Sequence, residues 1–292
     1  MMLEASPTAF AVAIGVLGLF VGSFLNVVIL RTPVILDRQW RRQCQELNDL
    51  NAATAPKTTD SERFNLLVPR SRCPSCGHQI TALENVPVLS YLFLRGKCSG
   101  CRQPISVRYP IVELVAAALA ALVAWRLGFT LAGLAGVAFT WTLIALTFID
   151  YDHQLLPDNI TLPLLWSGLL INIPGTFAPL SAAVIGATVG YVSLWLVYHV
   201  FKLITGKEGM GYGDFKLFAA LGAWLGWHQL PFVILFASLV GAIVGLGVIL
   251  LFGRDRQLPI PFGPFLCVAG WIALLWGEPI VRLYLQYARF AA

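Results

Sequence analysis

Charged residues are scarce in this chain. Of its 292 residues only 12% are Asp, Glu, Lys or Arg, whereas 58% are hydrophobic, and the mean hydropathy is +0.75. Soluble domains carry roughly a quarter charged residues. Because one core of this size cannot bury so many apolar side chains, lipid must solvate many of them. The composition therefore excludes an ordinary soluble protein and predicts an all-α polytopic membrane protein.

Several functional signatures are also missing. No stripe of basic residues marks a nucleic-acid-binding face, so we expect no nucleic acid among the partners. The chain has four histidines and no H-E-x-x-H sequence, which argues against a metalloprotease of that type. It also lacks the glycine fingerprint of a dinucleotide-binding fold. The chain does contain long hydrophobic runs and one polar block, residues 31–109.

The hydrophobic runs predict about eight transmembrane helices. The first run, 9–30, is too long for a signal-peptide core and lacks a strongly basic leader, so we expect a retained helix. Seven further candidates follow the polar block, and the count falls to seven spans if one of the shorter runs does not cross. These candidates are 110–127, 131–149, 160–175, 181–203, 215–228, 230–252 and 261–280.

The polar block suggests a division into three regions. We predict a first transmembrane helix at 1–30, a small cytoplasmic domain inserted at 31–109, and a membrane domain at 110–292. Within the inserted domain, 38–62 is expected to form a short amphipathic helix followed by a linker.

The distribution of Lys and Arg predicts the orientation. With the amino terminus outside, all but three of the 20 Lys and Arg residues lie at or near cytoplasmic connections. The exceptions are Arg126, Arg282 and Arg289. We therefore expect the inserted domain and the connections 150–159 and 204–214 to lie in the cytoplasm.

Two C-x-x-C pairs in the inserted domain predict a metal site. Four of the six cysteines form them, and they are Cys73, Cys76, Cys98 and Cys101. Two such knuckles are typical of a tetrahedral four-thiolate zinc site. Because four sulfurs leave no position open for a water, the zinc is expected to be structural. The cytoplasmic location argues against two disulfides, and we interpret the neighbouring His78 as a bystander.

Acidic residues at the ends of hydrophobic runs are the second signal. Asp150 follows the third span and Asp214 precedes the sixth, and both fall at the cytoplasmic edge in the predicted orientation. Carboxylates so close to hydrocarbon are costly and usually functional. Two carboxylates that meet share one proton, so that one activates a water while the other polarises a carbonyl. The pattern predicts an aspartyl endopeptidase, although the residues alone leave Asp152 and Asp158 as rivals of Asp150.

The acidic residues also have structural interpretations. Asp158 follows Pro157 and precedes an apolar run, so it is expected to be a helix N-cap. Asp152 is typical of a solvated loop, and Asp214 is also placed where an N-cap would stand. A proton-coupled transporter remains an alternative, but it predicts carboxylates near the bilayer midplane. A zinc-stabilised assembly factor without catalysis leaves the two edge aspartates unexplained.

Two polar residues lie inside the first two spans. Glu113 is about one turn into the second span, where we expect a structural pair with Arg108 or another base, with substrate contact as the second interpretation. Asn26 is expected to form a hydrogen bond between helices, next to Gly22 and Ser23, whose small size permits close packing.

Taken together, these motifs resemble those of the type IV prepilin peptidases, the leader peptidases and N-methyltransferases of type IV pilus and type II secretion systems. The resemblance covers essentially the whole chain. Beside the two C-x-x-C pairs it rests on G-S-F-L-N-V at 22–27, R-Y-P-I-V-E-L at 108–114, I-D-Y-D-H-Q-L-L-P-D at 149–158 and G-M-G-Y-G-D-F-K at 209–216.

The resemblance implies a specific function. Asp150 and Asp214 match the catalytic pair of that family, which acts at the cytoplasmic face of the bacterial inner membrane. Its substrates are prepilins and pseudopilins, cleaved after the glycine that ends a basic leader. The family then methylates the new amino terminus with S-adenosylmethionine. That second activity rests on resemblance alone, and the zinc-bearing domain at 31–109 is its expected location.

Overall fold

The computed structural model describes residues 6–51, 64–207, 209–252 and 260–290. Over these ranges the regular structure is helical, and the only β pairing is two isolated bridges. The all-α fold class predicted from composition is therefore confirmed.

Nine α-helices, α1 to α9 in chain order, form within the described residues. They are α1 Pro7–Asn51, α2 Leu89–Phe93, α3 Arg108–Leu127, α4 Leu131–His153, α5 Asp158–Ile171, α6 Leu180–Thr205, α7 Tyr212–Leu225, α8 Leu230–Phe252 and α9 Gly263–Phe290. A 3₁₀ turn, Trp227–Gln229, joins α7 to α8.

Six helices of the described chain are long and apolar enough to cross a membrane, namely α1, α3, α4, α6, α8 and α9. The predicted fourth and sixth spans correspond to α5 and α7, which have 14 residues each. At about 1.5 Å per residue such a helix is about 21 Å long, shorter than the roughly 30 Å hydrocarbon core. The multi-pass architecture is confirmed, and two of the eight predicted spans are too short to cross on length alone.

The first helix extends further than predicted. It runs without interruption through Pro33 to Asn51, so the expected break between the first span and an amphipathic helix is wrong. The residues after Pro33 are mostly good helix formers, and an i,i+4 ion pair of 2.9 Å joins Asp37 to Arg41. The predicted linker falls mostly outside the described residues.

The chain divides into two compact units. We call Gly15–Ala118 the cysteine-rich unit, and Met1–Ile14 with Leu119–Ala292 the helical unit. In the cysteine-rich unit α1 and α3 approach closely, since a Cβ added to Gly22 would lie 2.6 Å from the Cα of Glu113. Asn26 Nδ2 donates to the carbonyl oxygen of Tyr109 over 3.2 Å, which confirms the predicted interhelical hydrogen bond.

The short helix α7 lies at the centre of the helical unit. From Asp214 to its end every residue except Lys216 is buried, as expected of a helix that is apolar on all sides. The side-chain amide of Asn172, which ends α5, donates to the carbonyl oxygens of Ala223 and Trp224 over 2.9 Å each. These bonds satisfy carbonyls that the last turn of a helix leaves without partners, so α7 can end inside protein.

The crossing of α6 and α7 depends on glycine. A Cβ at Gly186 would lie 2.5 Å from the carbonyl oxygen of Gly222 and 2.8 Å from the backbone nitrogen of Trp227. Because both atoms belong to the backbone, neither can move aside cheaply. We predict that Gly186→Ala lowers the free energy of unfolding by about 1–3 kcal/mol, measured by thermal unfolding in detergent micelles.

Gly247→Ala on α8 is the matched control, since no atom lies within 4 Å of the added Cβ. That substitution should leave stability unchanged or raise it by up to about 1 kcal/mol through helix propensity. Equal unfolding temperatures for the two variants would contradict the packing account.

Candidate active site and metal centre

The last turn of α4 carries Asp150. The helix ends at His153, and Gln154 takes the left-handed C-cap conformation with φ 52°. Asp150 is only 5% exposed. Its Oδ2 accepts a hydrogen bond of 3.0 Å from the backbone N–H of Gly263, the first residue of α9. Since the first N–H groups of a helix have no partner within it, the start of α9 holds this carboxylate in place.

The first turn of α7 carries Asp214. Gly211 is the N-cap of this helix, so Asp214 does not take the N-cap position that the sequence allowed. It is 7% exposed, and its Oδ1 is fully buried without a hydrogen-bond partner among the described residues. An unsatisfied buried oxygen is costly, which makes it a natural acceptor or donor for a bound water or substrate.

Glycines allow close packing around the two carboxylates. Asp150 and Asp214 are close enough for their charges to interact. A Cβ at Gly213 would lie 2.7 Å from the Cβ of Leu156, and one at Gly263 would lie 2.5 Å from Asp150 Oδ2. Gly213 belongs to a motif that the sequence analysis singled out, whereas Gly263 does not. The signal available for Gly263 was a glycine between Phe262 and Pro264 at the start of a predicted span.

The rival aspartates lie elsewhere. Asp152 is exposed on the last turn of α4. Asp158 is the first residue of α5, whose N-cap is Pro157, so its prediction as an N-cap is wrong. Both carboxylate oxygens of Asp158 instead lie 2.7 Å from Nζ of Lys216. The lysine on α7 supplies a full positive charge, a stronger partner for a carboxylate than backbone N–H groups.

The four predicted metal ligands converge in the cysteine-rich unit. Their sulfur atoms all lie within 4.8 Å of one another, with 3.8 Å between Cys73 and Cys101 and 4.0 Å between Cys76 and Cys98. Zinc–sulfur bonds of about 2.3 Å in a tetrahedron place sulfurs about 3.8 Å apart, so the cluster fits the ion. All four thiols are free, in agreement with the argument against disulfides.

The knuckle geometry also favours a thiolate. The backbone N–H groups of Cys76 and Ser75 point to Cys73 and lower the pKa of its thiol to about 6. Donors to a charged sulfur stabilise that form over the neutral thiol. At least one ligand, Cys73, therefore readily takes the thiolate form that binds a metal ion.

His78 lies beside the sulfurs but binds other groups. Its Nε2 is 3.2 Å from Oε1 of Glu84 and 3.1 Å from the hydroxyl of Ser99. Hydrogen bonds from Ser99 and from the Thr81 N–H lower the pKa of the Glu84 carboxyl to about 2. This network surrounds the knuckles in the manner of outer-shell partners, which agrees with His78 as a bystander.

Glu113 has partners that the sequence did not predict. Its Oε2 accepts a 2.8 Å hydrogen bond from the N–H of Val88, and the carboxylate also bonds the side chain of Ser23. Among the described residues both partners are neutral, so the expected ion pair with Arg108 or another base is wrong. The N–H of Val88 was invisible to sequence reasoning because it belongs to a loop backbone 25 residues away.

The fold and these sites define a class. This is a polytopic helical membrane protein in which two buried carboxylates lie near one another at helix ends, and whose cysteine-rich unit holds a four-cysteine cluster. The family described as Bacterial Peptidase A24 N-terminal domain matches residues 16–127, and the Type IV leader peptidase family matches residues 137–246. The chain belongs to the type IV leader peptidase family.

Relatives of nearly full length carry one name, prepilin leader peptidase/N-methyltransferase. The chain is 58% identical to that of Aeromonas salmonicida (strain A449) over 92% of this chain and 91% of the relative. It is 54% identical to that of Stutzerimonas stutzeri over 98% of both chains. Identity to the Pseudomonas aeruginosa protein is 53% over 99% of this chain and 98% of the relative. No solved structure matches the chain.

The ion pair between Asp158 and Lys216 links the starts of α5 and α7 and can be measured. The two side chains are 55% and 28% exposed, so solvent screens the pair. We predict a coupling free energy of about 0.2–1 kcal/mol from a double-mutant cycle of Asp158→Asn and Lys216→Met, followed by unfolding in detergent. A coupling indistinguishable from zero would mean that the contact does not stabilise the packing of these helices.

Proposed function

We propose that this protein cleaves the basic leader of type IV prepilins and type II secretion pseudopilins with Asp150 and Asp214. It then methylates the new amino terminus with S-adenosylmethionine. The observation that carries the peptidase activity is the proximity of two buried carboxylates at the ends of α4 and α7. The name shared by the relatives supports both halves.

In the peptidase step the two carboxylates act as a pair that shares one proton. We assign the negative charge to Asp150, because the N–H of Gly263 donates to its Oδ2. We assign the proton to Asp214, whose Oδ1 has no partner among the described residues. Asp150 then takes a proton from a water, while Asp214 donates to the carbonyl oxygen of the scissile bond.

The helix ends support one location for this chemistry. Gly263 at the start of α9 bonds Asp150 at the end of α4, and Lys216 in the first turn of α7 bonds Asp158 at the start of α5. These contacts join four helix ends, which supports a site at one membrane face. The bias of Lys and Arg supports the cytoplasmic face of the bacterial inner membrane, with the amino terminus in the periplasm. A basic leader would remain on the same side.

The methyltransferase activity is proposed for the inserted domain, 31–109, which lies within the cysteine-rich unit. Cys73, Cys76, Cys98 and Cys101 would hold a structural zinc ion that fixes the two knuckles. S-adenosylmethionine would supply the methyl group. This chain's own residues would bind the donor and orient the amino terminus that accepts the methyl group.

Replacing the aspartates tests the peptidase assignment. Asp150→Asn and Asp214→Asn each remove a group that must exchange a proton, so the cleavage rate should fall by at least about 10²–10⁴ with little change in folding. Purified enzyme in lipid is given a synthetic prepilin, and mass spectrometry follows the loss of the leader and the gain of a methyl group.

Asp152→Asn is the matched control, because Asp152 lies two residues from Asp150 but is exposed. It should cleave like the parent enzyme. Retained cleavage in either Asp150→Asn or Asp214→Asn would overturn the assignment of the pair.

Metal content and a cysteine variant test the zinc site. The purified protein should contain one zinc ion per chain, measured by elemental mass spectrometry. Cys98→Ser removes the buried ligand of the cluster and should abolish zinc binding and methylation. Leader cleavage should persist, since both aspartates belong to the helical unit. Cys44→Ser, an exposed cysteine outside the cluster, should keep the zinc. A Cys98→Ser protein that retains stoichiometric zinc would contradict the four-thiolate site.

A further inference from the structure

The cysteine-rich unit contains a cavity that extends from the cysteine cluster, where Cys73 and Cys98 line it, to Glu113. Its volume is about 510 Å³, and it lies between α1, the knuckle loops and the start of α3. That volume falls within the roughly 300–1,000 Å³ typical of small-molecule sites. Apolar side chains such as Val27, Leu30 and Ile105 share the lining with polar groups, as expected of a pocket for a partly polar ligand.

Glu113 lies at the buried end of this cavity. The side chain is 7% exposed and lines the pocket, yet its described partners are only the Val88 N–H and the Ser23 side chain. A buried carboxylate is stable when a positive charge compensates it, and neutral donors do so incompletely. Arg31 and Arg72 also line the cavity, but Arg31 donates to backbone carbonyl oxygens rather than to Glu113. The Glu113 end of the cavity therefore suits the cationic part of a ligand, and the arginines suit an anionic part such as a carboxylate.

Other lining groups suit a nucleoside. Asn85 and Gln103 line the cavity and are exposed to solvent. Each offers one acceptor and two donors, the set that an adenine edge requires. The rings of Tyr91 and Tyr109 also line the pocket and provide flat surfaces against which a base can pack.

We propose that this cavity binds the methyl donor S-adenosylmethionine, with its sulfonium and the acceptor amine beside Glu113. The proposal rests on the methyltransferase half of the proposed function. The amine nitrogen forms the new bond to the methyl carbon, and the electrons of the carbon–sulfur bond remain on sulfur. The proton that the nitrogen loses passes to Glu113, so charge and atoms balance.

The depth of Glu113 fits the substrate. It is five residues into α3, which begins at Arg108, and five residues of helix rise about 8 Å. Glu113 therefore lies near one end of a candidate membrane span. The amino terminus that the proposed cleavage creates also begins an apolar helix, so a carboxylate near the end of a span suits it.

The test compares two ligands that differ in charge. S-adenosylmethionine carries a sulfonium, whereas S-adenosylhomocysteine has a neutral sulfur and lacks only the methyl group. Binding of each to the full-length enzyme in lipid nanodiscs is measured by calorimetry. Glu113→Gln keeps an oxygen acceptor for the Val88 N–H but removes the charge, so we expect it to reduce the preference for S-adenosylmethionine at least tenfold. Glu46→Gln, an exposed glutamate on α1, should keep that preference.

The outcomes separate the two proposals. If the parent enzyme binds and methylates while Glu113→Gln keeps the parent's ligand preference and methylation rate, the assignment of Glu113 is overturned and the methyltransferase function stands. If the parent enzyme neither binds the donor nor methylates a cleaved prepilin, the methyltransferase function itself fails. Zinc content and leader cleavage of Glu113→Gln show that the variant is folded.

A second measurement needs no variant. The parent enzyme is irradiated with a photoreactive S-adenosylmethionine analogue, and the labelled peptides are identified by mass spectrometry. Labels within 81–113 that excess S-adenosylmethionine removes are the expected result. Labels confined to the helical unit would overturn the cavity as the donor site.

Discussion

The cost of a polar group away from water governs this structure more than any other constraint. Hydrocarbon offers no hydrogen bonds, so each buried carboxylate or amide must find partners within the protein. Helix ends are where unused donors and acceptors are available. Asp150 uses the first N–H of α9, and Asn172 uses the last carbonyls of α7. These two buried polar groups therefore lie where helices begin and end, and so does the candidate active site.

The short helices α5 and α7 follow from the same constraint. A full-length span would carry its ends to the two membrane surfaces, where water would reach a carboxylate in its first turn. Because α7 has only 14 residues and is buried on nearly all sides, Asp214 is covered by protein instead. The close crossing at Gly186 lets α6 pack against the end of α7, and Tyr198 of α6 contacts Phe215 next to Asp214. The helix α6 therefore packs against both ends of α7.

Local patterns in the sequence predicted much of this arrangement, and distant contacts account for the rest. Hydropathy located each hydrophobic helix, and the C-x-x-C spacing predicted the cluster, because both signals lie within short stretches of chain. Asp158 was mistaken for an N-cap because its partner, Lys216, is 58 residues away. Gly263 was missed because its contact with Asp150 joins residues 113 apart. Every residue except proline has a backbone N–H, so the sequence does not reveal which of these groups will donate to a given carboxylate.

The candidate peptidase site and the proposed donor site share one structural feature, a buried carboxylate that accepts a backbone hydrogen bond. In each, one backbone N–H donates to one oxygen of a buried carboxylate: Gly263 at the start of α9 donates to Asp150 over 3.0 Å, and Val88 in the loop before α2 donates to Glu113 over 2.8 Å. One oxygen is thereby fixed, which orients the group without supplying a full countercharge. The charge that remains must be balanced by what enters the site. At Asp150 a proton shared with Asp214 can provide this balance, whereas at Glu113 a cationic ligand is required. The same local geometry therefore suits acid–base chemistry in one place and recognition of a positive charge in the other.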